Sequence, residues 1–388
     1  MSPMRLLLGA LAPAGARSRL TVLIYHRVLA APDPLRPGEP TPAEFETRLR
    51  WLKAHFNALP LADAVAGLQA GRLPARPLAI TFDDGYRDNH DLAAPILARL
   101  GLPATFFVAT GFLDGGIMFN DVVIEAVRQA RGDALDLGAL GLGNHPLGND
   151  EERRQAIAAI LRAIKPRPPG ERGELAARIA AAAGATLPRD LMMRAEQVAA
   201  LHRSGMTVGA HTVTHPILAR TDAATARGEI ESGRRRLEAI IGARVGLFAY
   251  PNGKPGADYA AGHVAMVREL GFDGAVSTAW GAAAPGDDPF QVPRLRRGTG
   301  PSGKRGCGSR RTCGARRRLA SSAPRTPSPA ARASARARPG SRSSRRSSPA
   351  ARAAARRRAR RGSRRAPPRA RRTARAPAAR TRAAPRGA

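Results

Sequence analysis

Short apolar runs alternate with longer amphipathic segments between about residues 20 and 280. The short runs are almost continuously apolar, which is typical of strands buried on both faces of a sheet. Strands that alternate with helices over this length predict a parallel α/β sheet, open or closed into a barrel. Six strands are predicted, over Leu20–Tyr25, Leu78–Phe82, Ala104–Val108, Met206–Ala210, Val245–Tyr250 and Gly274–Thr278.

Helix signals fill the segments between these strands. Thr41 and Glu44 are spaced as in a capping box, Pro42 stands at the first helical position, and an amphipathic run follows to Phe56. Residues from about 130 to 195 fit the alternation poorly, because prolines interrupt two helical stretches and no clear strand occurs; they predict a helical insertion. Further helices are predicted over His90–Leu100, Glu125–Arg131, Glu151–Ile164, Glu196–Ser204, Ala223–Ile241 and Tyr259–Leu270.

The charge of the chain is divided unevenly. The formal net charge of the 388 residues is +34, a value typical of nucleic-acid or membrane-surface binders. However, the segment from Thr299 to the end holds 29 of the 64 basic residues and none of the 30 acidic ones. Residues 1–298 therefore keep 35 basic and 30 acidic residues, a balance of +5, and have the composition of an ordinary folded domain.

The composition of residues 299–388 predicts a disordered, arginine-rich tail. Of the 88 residues from 301 onward, 84 are Ala, Arg, Ser, Pro, Gly or Thr, so few apolar side chains are available to offset the entropy of folding. Two interpretations stay open: non-specific binding of nucleic-acid phosphates, or a frameshifted C-terminus read from GC-rich DNA. No specific nucleic-acid partner is expected. The predicted organisation is a lead-in at 1–19, one domain at 20–298 and this tail.

Polar residues of catalytic type follow three of the predicted strands directly. His26 follows the first strand, Asp83 and Asp84 follow the second, and His211 with His215 follows the fourth. Because the carboxyl ends of parallel strands meet at one end of the sheet, these side chains are expected to converge there. One Asp and two His form a ligand set that leaves coordination positions open on a metal ion. Taken alone, the Asp-Gly step at 84–85 is equally typical of a turn.

The segments TFDDGY at 81–86 and HTVTHP at 211–216 together resemble the first two motifs of the polysaccharide deacetylase family, also called the NodB-homology domain or carbohydrate esterase family 4. The resemblance extends from about residue 20 to residue 298. It implies a distorted (β/α) barrel of about seven parallel strands. By this resemblance Asp83 is the general base, and Asp84, His211 and His215 are the metal ligands.

Three further site residues follow from the resemblance. The segment FAYPNG at 248–253 is similar to the third family motif, which implies that the backbone N–H of Tyr250 stabilises the oxyanion. That motif usually carries an arginine that orients the base; Arg294 either supplies this charge from another strand or is a surface residue. The segment YHRV at 25–28 is similar to the subgroup of poly-N-acetylglucosamine deacetylases, which implies that His26 is the catalytic acid; a structural histidine is the alternative.

The implied reaction is metal-dependent hydrolysis of N-acetyl groups on an amino-sugar polysaccharide or glycoconjugate, with release of acetate. The implied metal is Zn²⁺, although Co²⁺ or Ni²⁺ suits the same ligands. Another amide or an ester on the same metal site is the alternative substrate. The sequence shows neither an apolar run of the length needed to span a membrane nor a clear signal peptide, so a cytoplasmic location or one peripheral to the inner membrane is expected.

Overall fold

The computed structural model describes residues 12–296. Residues 1–11 of the predicted lead-in and the whole predicted tail from Thr299 lie outside the described residues. The strands of a parallel sheet are β1 (Thr21–Tyr25), β2 (Asn57–Ala58), β3 (Pro77–Phe82), β4 (Thr105–Val108), β7 (Thr207–Ala210), β8 (Leu247–Ala249), β9 (Gly274–Val276) and β10 (Leu295–Arg296). Their order across the sheet is β10-β1-β3-β4-β7-β8-β9, and β2 pairs with β3.

The sheet curls so that its two edges are joined by one segment of chain. Val292 forms a parallel bridge with Val276 of β9. Three residues later the same segment enters β10, where Leu295 pairs with Leu23 of β1. This arrangement confirms the predicted distorted (β/α) barrel of about seven strands. All six strands predicted from the apolar runs are present, with ends shifted by at most two residues.

Helices cover the outside of the curled sheet. The capping box at Thr41 is present, and the helix that it starts ends at His55. Before α3, residues 89–93 form a single π turn. The helix at Leu61–Gln69 was not predicted. The helices are α1 (Pro42–His55), α2 (Leu61–Gln69), α3 (Ala94–Leu100), α4 (Phe119–Gln129), α5 (Asp150–Ile164), α6 (Pro169–Ala182), α7 (Ala195–Arg203), α8 (Ala223–Ile241) and α9 (Ala261–Glu269).

The core is divided by the alternation of side chains along the strands. On β3, Leu78, Ile80 and Phe82 pack outward against the helices, whereas Ala79 belongs to a second cluster with Val22 and Phe107 inside the curled sheet. Thr81 also lies on the interior side but donates its hydroxyl to the carbonyl of Leu23 at 2.8 Å. The strands are thus fixed in register, and their carboxyl ends are held together at one end of the barrel.

The helical insertion has a hydrophobic cluster of its own. Helices α4, α5 and α6 share buried residues that include Val123, Ile160 and Ile179. Since α4 belongs to this cluster, the insertion begins near residue 119, earlier than the predicted 130. The expectation that it holds no strand is wrong, because β5 (Ala134–Asp136) and β6 (Asn144–Pro146) form an antiparallel hairpin in it. Among the described helices, none is both long and apolar enough to cross a membrane.

Candidate functional site

The polar residues that follow the strands line one cavity at the carboxyl end of the sheet. His26, Asp83, Asp84, His211 and His215 all face this cavity, which has a volume of about 560 Å³. Strands β1, β3, β4 and β7 are neighbours, so residues distant in sequence emerge side by side. The insertion supplies part of the opposite wall. The structure therefore brings together the residues singled out in the sequence, in a polar cavity open to solvent.

Asp84, His211 and His215 are arranged as a set of metal ligands. The Nε2 atoms of His211 and His215 lie 3.4 and 3.5 Å from Oδ1 of Asp84. One ligand atom from each residue falls within 4.8 Å of the other two. The other ring nitrogen of His211, Nδ1, lies 2.7 Å from the carbonyl oxygen of Ala249, which accepts its hydrogen and directs Nε2 toward Asp84. One carboxylate oxygen and two imidazole nitrogens thus converge on one point.

The protonation of the trio follows from burial and mutual contact. Burial lowers the pKa of His215 to about 3, so its ring nitrogen is a free lone pair at neutral pH. Burial also lowers the pKa of His211, but the hydrogen bond to Asp84, the charges of Asp83 and Asp84 and the bond to Ala249 together outweigh this and raise the pKa overall. Burial of Asp84 is likewise outweighed by its histidine partners, which hold the pKa of that carboxyl well below its usual range. Asp84 is therefore ionised and ready to act as a ligand.

The loop that carries the two histidines is held in a strained conformation by Glu229. Thr212 and His215 have φ angles of 66° and 53°, in the left-handed region that non-glycine residues rarely adopt. The carboxylate of Glu229 on α8 accepts hydrogen bonds from the backbone N–H groups of Val213 and Thr214 at 2.9 and 2.8 Å. These bonds compensate for the strain and fix where the two imidazoles point.

Arg294 forms a fully buried, two-pronged ion pair with Asp83. Its Nη1 and Nη2 atoms each lie 2.7 Å from one oxygen of the Asp83 carboxylate. Arg294 is 1 % exposed and Asp83 3 % exposed. Burial raises the pKa of Asp83, but the adjacent guanidinium outweighs it and holds the pKa below its usual value. Of the two interpretations of Arg294 in the sequence, the surface residue is wrong, since the side chain lies inside the barrel.

His26 lies at the end of β1 and lines the cavity with the two aspartates. Its imidazole is close enough for its charge to lower the pKa of both Asp83 and Asp84. The backbone of its loop is held by the segment that follows β3: Asn89 donates its Nδ2–H to the carbonyl of His26 at 2.7 Å, and Asp88 accepts the N–H of Val28 at 3.2 Å. The position of His26 in the cavity is compatible with a proton donor.

The assignment of the Tyr250 N–H as oxyanion donor is wrong. This N–H donates to the carbonyl of Val276 at 3.2 Å as part of the sheet, so it is already engaged. The side chain is a core element, because its ring stacks on Tyr259 at 3.8 Å and its hydroxyl donates to the carbonyl of Phe290. Two residues further on, Asn252 lines the cavity with φ of 61°. Within the described part of the chain, its N–H has no hydrogen-bond acceptor.

Sequence reasoning missed Asn252 and Glu229. The Asn-Gly step at 252–253 is a turn signal that favours positive φ, and it could have marked Asn252 as the residue that turns into the cavity. No local signal marks Glu229, because its role depends on α8 packing against the histidine loop.

One protein-family model matches this chain over more than half of its length. The family model described as polysaccharide deacetylase matches residues 70–165 and 174–275, which together make up just over half of the chain. The chain belongs to the polysaccharide deacetylase family. The matched residues include the TFDDGY and HTVTHP segments, and so they contain the whole Asp84, His211 and His215 trio.

Among curated relatives, the chain is similar to the poly-beta-1,6-N-acetyl-D-glucosamine N-deacetylase of Staphylococcus epidermidis. The identity is 29 % over 120 residues, which are 28 % of this chain and 41 % of the relative. The enzyme of the same name from Staphylococcus aureus is 36 % identical over 70 residues, 18 % of this chain and 24 % of the relative. The matched segment thus spans less than half the length of either relative.

Solved structures include similar chains. The IcaB structure from Ammonifex degensii has a TM-score of 0.48 at 20 % identity, over 74 % of this chain and 93 % of that one. The deacetylase PplD from Streptococcus pyogenes has a TM-score of 0.48 at 18 % identity, over 72 % of this chain and 93 % of that one.

Proposed function

We propose that this polysaccharide deacetylase family member hydrolyses the N-acetyl groups of an amino-sugar polysaccharide or glycoconjugate, with a divalent metal, and releases acetate. The observation that carries the proposal is the pairing of two sites on adjacent residues: the Asp83 carboxylate held by Arg294, and the Asp84, His211 and His215 trio beside it. A base and a metal site next to each other in an open cavity are what amide hydrolysis by water requires.

The donor set supports zinc. One carboxylate oxygen and two imidazole nitrogens suit Zn²⁺, and Co²⁺ or Ni²⁺ fits the same ligands. The hydrogen bond from His211 to Ala249 is of the kind that orients a ligating imidazole. Bound there, the metal would supply Lewis acidity to the acetamide carbonyl and to the attacking water. Three protein ligands leave coordination positions for both.

Protein groups divide the proton transfers between them. Asp83 takes a proton from the water that attacks the carbonyl carbon, and Arg294 keeps its carboxylate ionised and oriented. As the C–N bond breaks, His26 donates a proton to the departing amine nitrogen of the sugar. The N–H of Asn252, in place of that of Tyr250, donates a hydrogen bond to the oxyanion. Acetate and a free amino sugar are the products.

The glycan substrate is supported by the names of the relatives and by the cavity. The staphylococcal proteins are named for deacetylation of poly-beta-1,6-N-acetyl-D-glucosamine. The cavity of about 560 Å³ has the size and the polar lining of a site that accommodates sugar residues. An N-acetylglucosamine oligomer is therefore the first substrate to test.

The test is acetate release from N-acetylglucosamine oligomers by the full chain, with and without a chelator. We expect the chelator to abolish release and added Zn²⁺ to restore it. Asp83→Asn should lose activity while it still binds zinc, and Asp190→Asn, an exposed carboxylate outside the cavity, should retain activity. Chelator-resistant release, or full activity in Asp83→Asn, would refute the mechanism.

A further inference from the structure

One side of the cavity carries positive charges that the reaction outlined above does not use. Lys165, which follows the last residue of α5, faces the cavity from the insertion. Arg172, in the first turns of α6, lines an adjoining cavity of about 470 Å³ that shares His215, Met118 and Phe119 with the first. The two cavities therefore meet at a metal ligand, and a cation from the insertion lies on each side of it.

Arg172 is a buried cation for which residues 12–296 provide no paired anion. Its side chain is 4 % exposed. Its guanidinium lies 4.2 Å from the centre of the Phe119 ring, and it makes no ion pair with any residue between 12 and 296. Burial of an unpaired cation is costly, and burial alone lowers the pKa of Arg172. An arginine in this environment is stabilised if a ligand brings the missing negative charge.

Lys165 is an exposed cation at the edge of the first cavity. Its ammonium makes no ion pair within the described region. Partial desolvation lowers its pKa, the positive charges of Arg172 and Arg296 lower it further, and only Asp258 acts in the opposite direction. Lys165 and Arg172 therefore lie within electrostatic reach of each other.

The first turn of α6 adds hydrogen-bond donors beside Arg172 in the adjoining cavity. Pro169 and Gly170 line the adjoining cavity together with Arg172. The residue before the helix is Pro168, which provides no side-chain cap. The first N–H groups of this 14-residue helix therefore lack a capping side chain, and the helix dipole favours a negative charge beside them.

We propose that Lys165, Arg172 and the start of α6 form an anion-binding subsite, which holds a carboxylate or phosphate carried by the glycan near the acetamido group that is hydrolysed. This inference rests on the proposed deacetylase function and narrows its substrate class to acidic N-acetylated glycans. The subsite lies beside His215, so an anion there would place the neighbouring sugar over the metal site.

The experiment compares acetate release from three substrates: a neutral N-acetylglucosamine oligomer, an oligosaccharide in which N-acetylglucosamine alternates with glucuronic acid, and N-acetylglucosamine 6-phosphate. We expect kcat/KM for one of the anionic substrates to exceed that for the neutral oligomer by about tenfold at low salt, and the advantage to shrink as salt is raised. A preference for the second substrate identifies a carboxylate, and a preference for the third identifies a phosphate. Equal values for all three substrates overturn the subsite.

Variants locate the effect. Lys165→Met and Arg172→Lys should each lower the ratio of anionic to neutral kcat/KM by about three- to tenfold. Arg178→Met removes a charge from an exposed position of the same helix and should leave the ratio unchanged. A ratio that falls equally in Arg178→Met would show a general charge effect and refute the subsite.

A binding measurement separates this inference from the function on which it rests. Calorimetric titration with the glucuronic acid oligosaccharide and with N-acetylglucosamine 6-phosphate should show binding to one of them that weakens about tenfold in Lys165→Met. Absence of acetate release from all three substrates, with such binding intact, would refute the deacetylase and keep the subsite. Acetate release at a rate and with a substrate affinity that do not depend on an anionic group would refute the subsite and keep the deacetylase.

Discussion

Arg294 and Asp83 face each other inside the barrel: Nη1 of Arg294 donates to Oδ1 of Asp83 and Nη2 donates to Oδ2, each at 2.7 Å. They are 211 residues apart in sequence, and the pair forms because β10 pairs with β1 and β1 pairs with β3. Arg294 also donates to the hydroxyl of Thr81 at 3.1 Å and to the carbonyl of Ser277 at 2.9 Å. The Asp83 carboxylate, the proposed general base, is therefore positioned by the segment that closes the sheet.

Arg294→Lys should lower kcat by about a hundredfold. Lysine keeps the positive charge but loses the planar fork, so Asp83 can rotate away from the attacking water. Arg294→Gln should in addition lower the free energy of unfolding by about 3–5 kcal/mol, because the buried carboxylate is left without a cation. Steady-state kinetics and denaturant unfolding measure the two effects. Arg244→Lys breaks a similar fork on Asp273 at the surface and serves as the control; an equal loss of kcat there would contradict this role for Arg294.

Glu229→Gln should weaken zinc binding by about tenfold. Both oxygens of Glu229 accept hydrogen bonds from the histidine loop, including one from the hydroxyl of Thr214 at 2.7 Å. The amide of glutamine has one acceptor oxygen, and its NH₂ group would face the N–H and hydroxyl donors of the loop. The loop would then relax from its positive φ angles, and the imidazoles would move. Calorimetric zinc titration of the metal-free protein measures this. Glu231→Gln, on the exposed side of the same helix, is the control; equal zinc affinity in both variants would rule out a positioning role.

The sequence was sufficient for the six principal strands because each is buried on both faces and thus reads as an apolar run. It was insufficient for β5 and β6, because strands of three residues are too short to show an alternation of apolar and polar positions. It was also insufficient for α2, because no capping residue marks the start of that helix. The ligand trio was accessible because two local motifs contain it. The partner of Asp83 was left open, since only the closure of the sheet shows that Arg294 points inward.

The error at Tyr250 has a specific physical cause. Similarity of the FAYPNG segment to a family motif could not show where β8 ends. Because the N–H of Tyr250 still pairs with Val276, the first N–H free to serve the cavity comes after Pro251, at Asn252. A shift of two residues along the chain therefore changes which amide is free beside the cavity.

Asn89→Ala should lower kcat by about tenfold with little change in KM. Asn89 is fully buried and ties the carbonyl of His26 to the π turn before α3. Loss of this donor leaves a partly buried carbonyl unpaired, at a cost of about 1–3 kcal/mol in stability, and loosens the loop that carries His26, the proposed proton donor. Steady-state kinetics measures the loss of kcat, and thermal unfolding measures the loss of stability. Asn57→Ala removes a similar side-chain bond to a backbone carbonyl, that of Ala75, far from the cavity. It should lower stability alone, and a matching loss of kcat would count against the role of Asn89.

Gly233→Ala should destabilise the protein and weaken zinc binding, although alanine is the better helix former. Gly233 lies within α8, and a Cβ there would stand 2.8 Å from the backbone carbon and oxygen of Thr212. The added methyl group would push the histidine loop away from the helix, and this outweighs the gain of about 1 kcal/mol that Gly→Ala brings in an open helix.

Gly228, on the same helix, has open space where its Cβ would stand, so Gly228→Ala should raise the free energy of unfolding by about 0.5–1 kcal/mol and leave zinc affinity unchanged. Opposite signs for these two substitutions, measured by denaturant unfolding and zinc titration, are the expected result. A stabilising Gly233→Ala with normal zinc affinity would show that the contact between α8 and the loop does not set the geometry of the site.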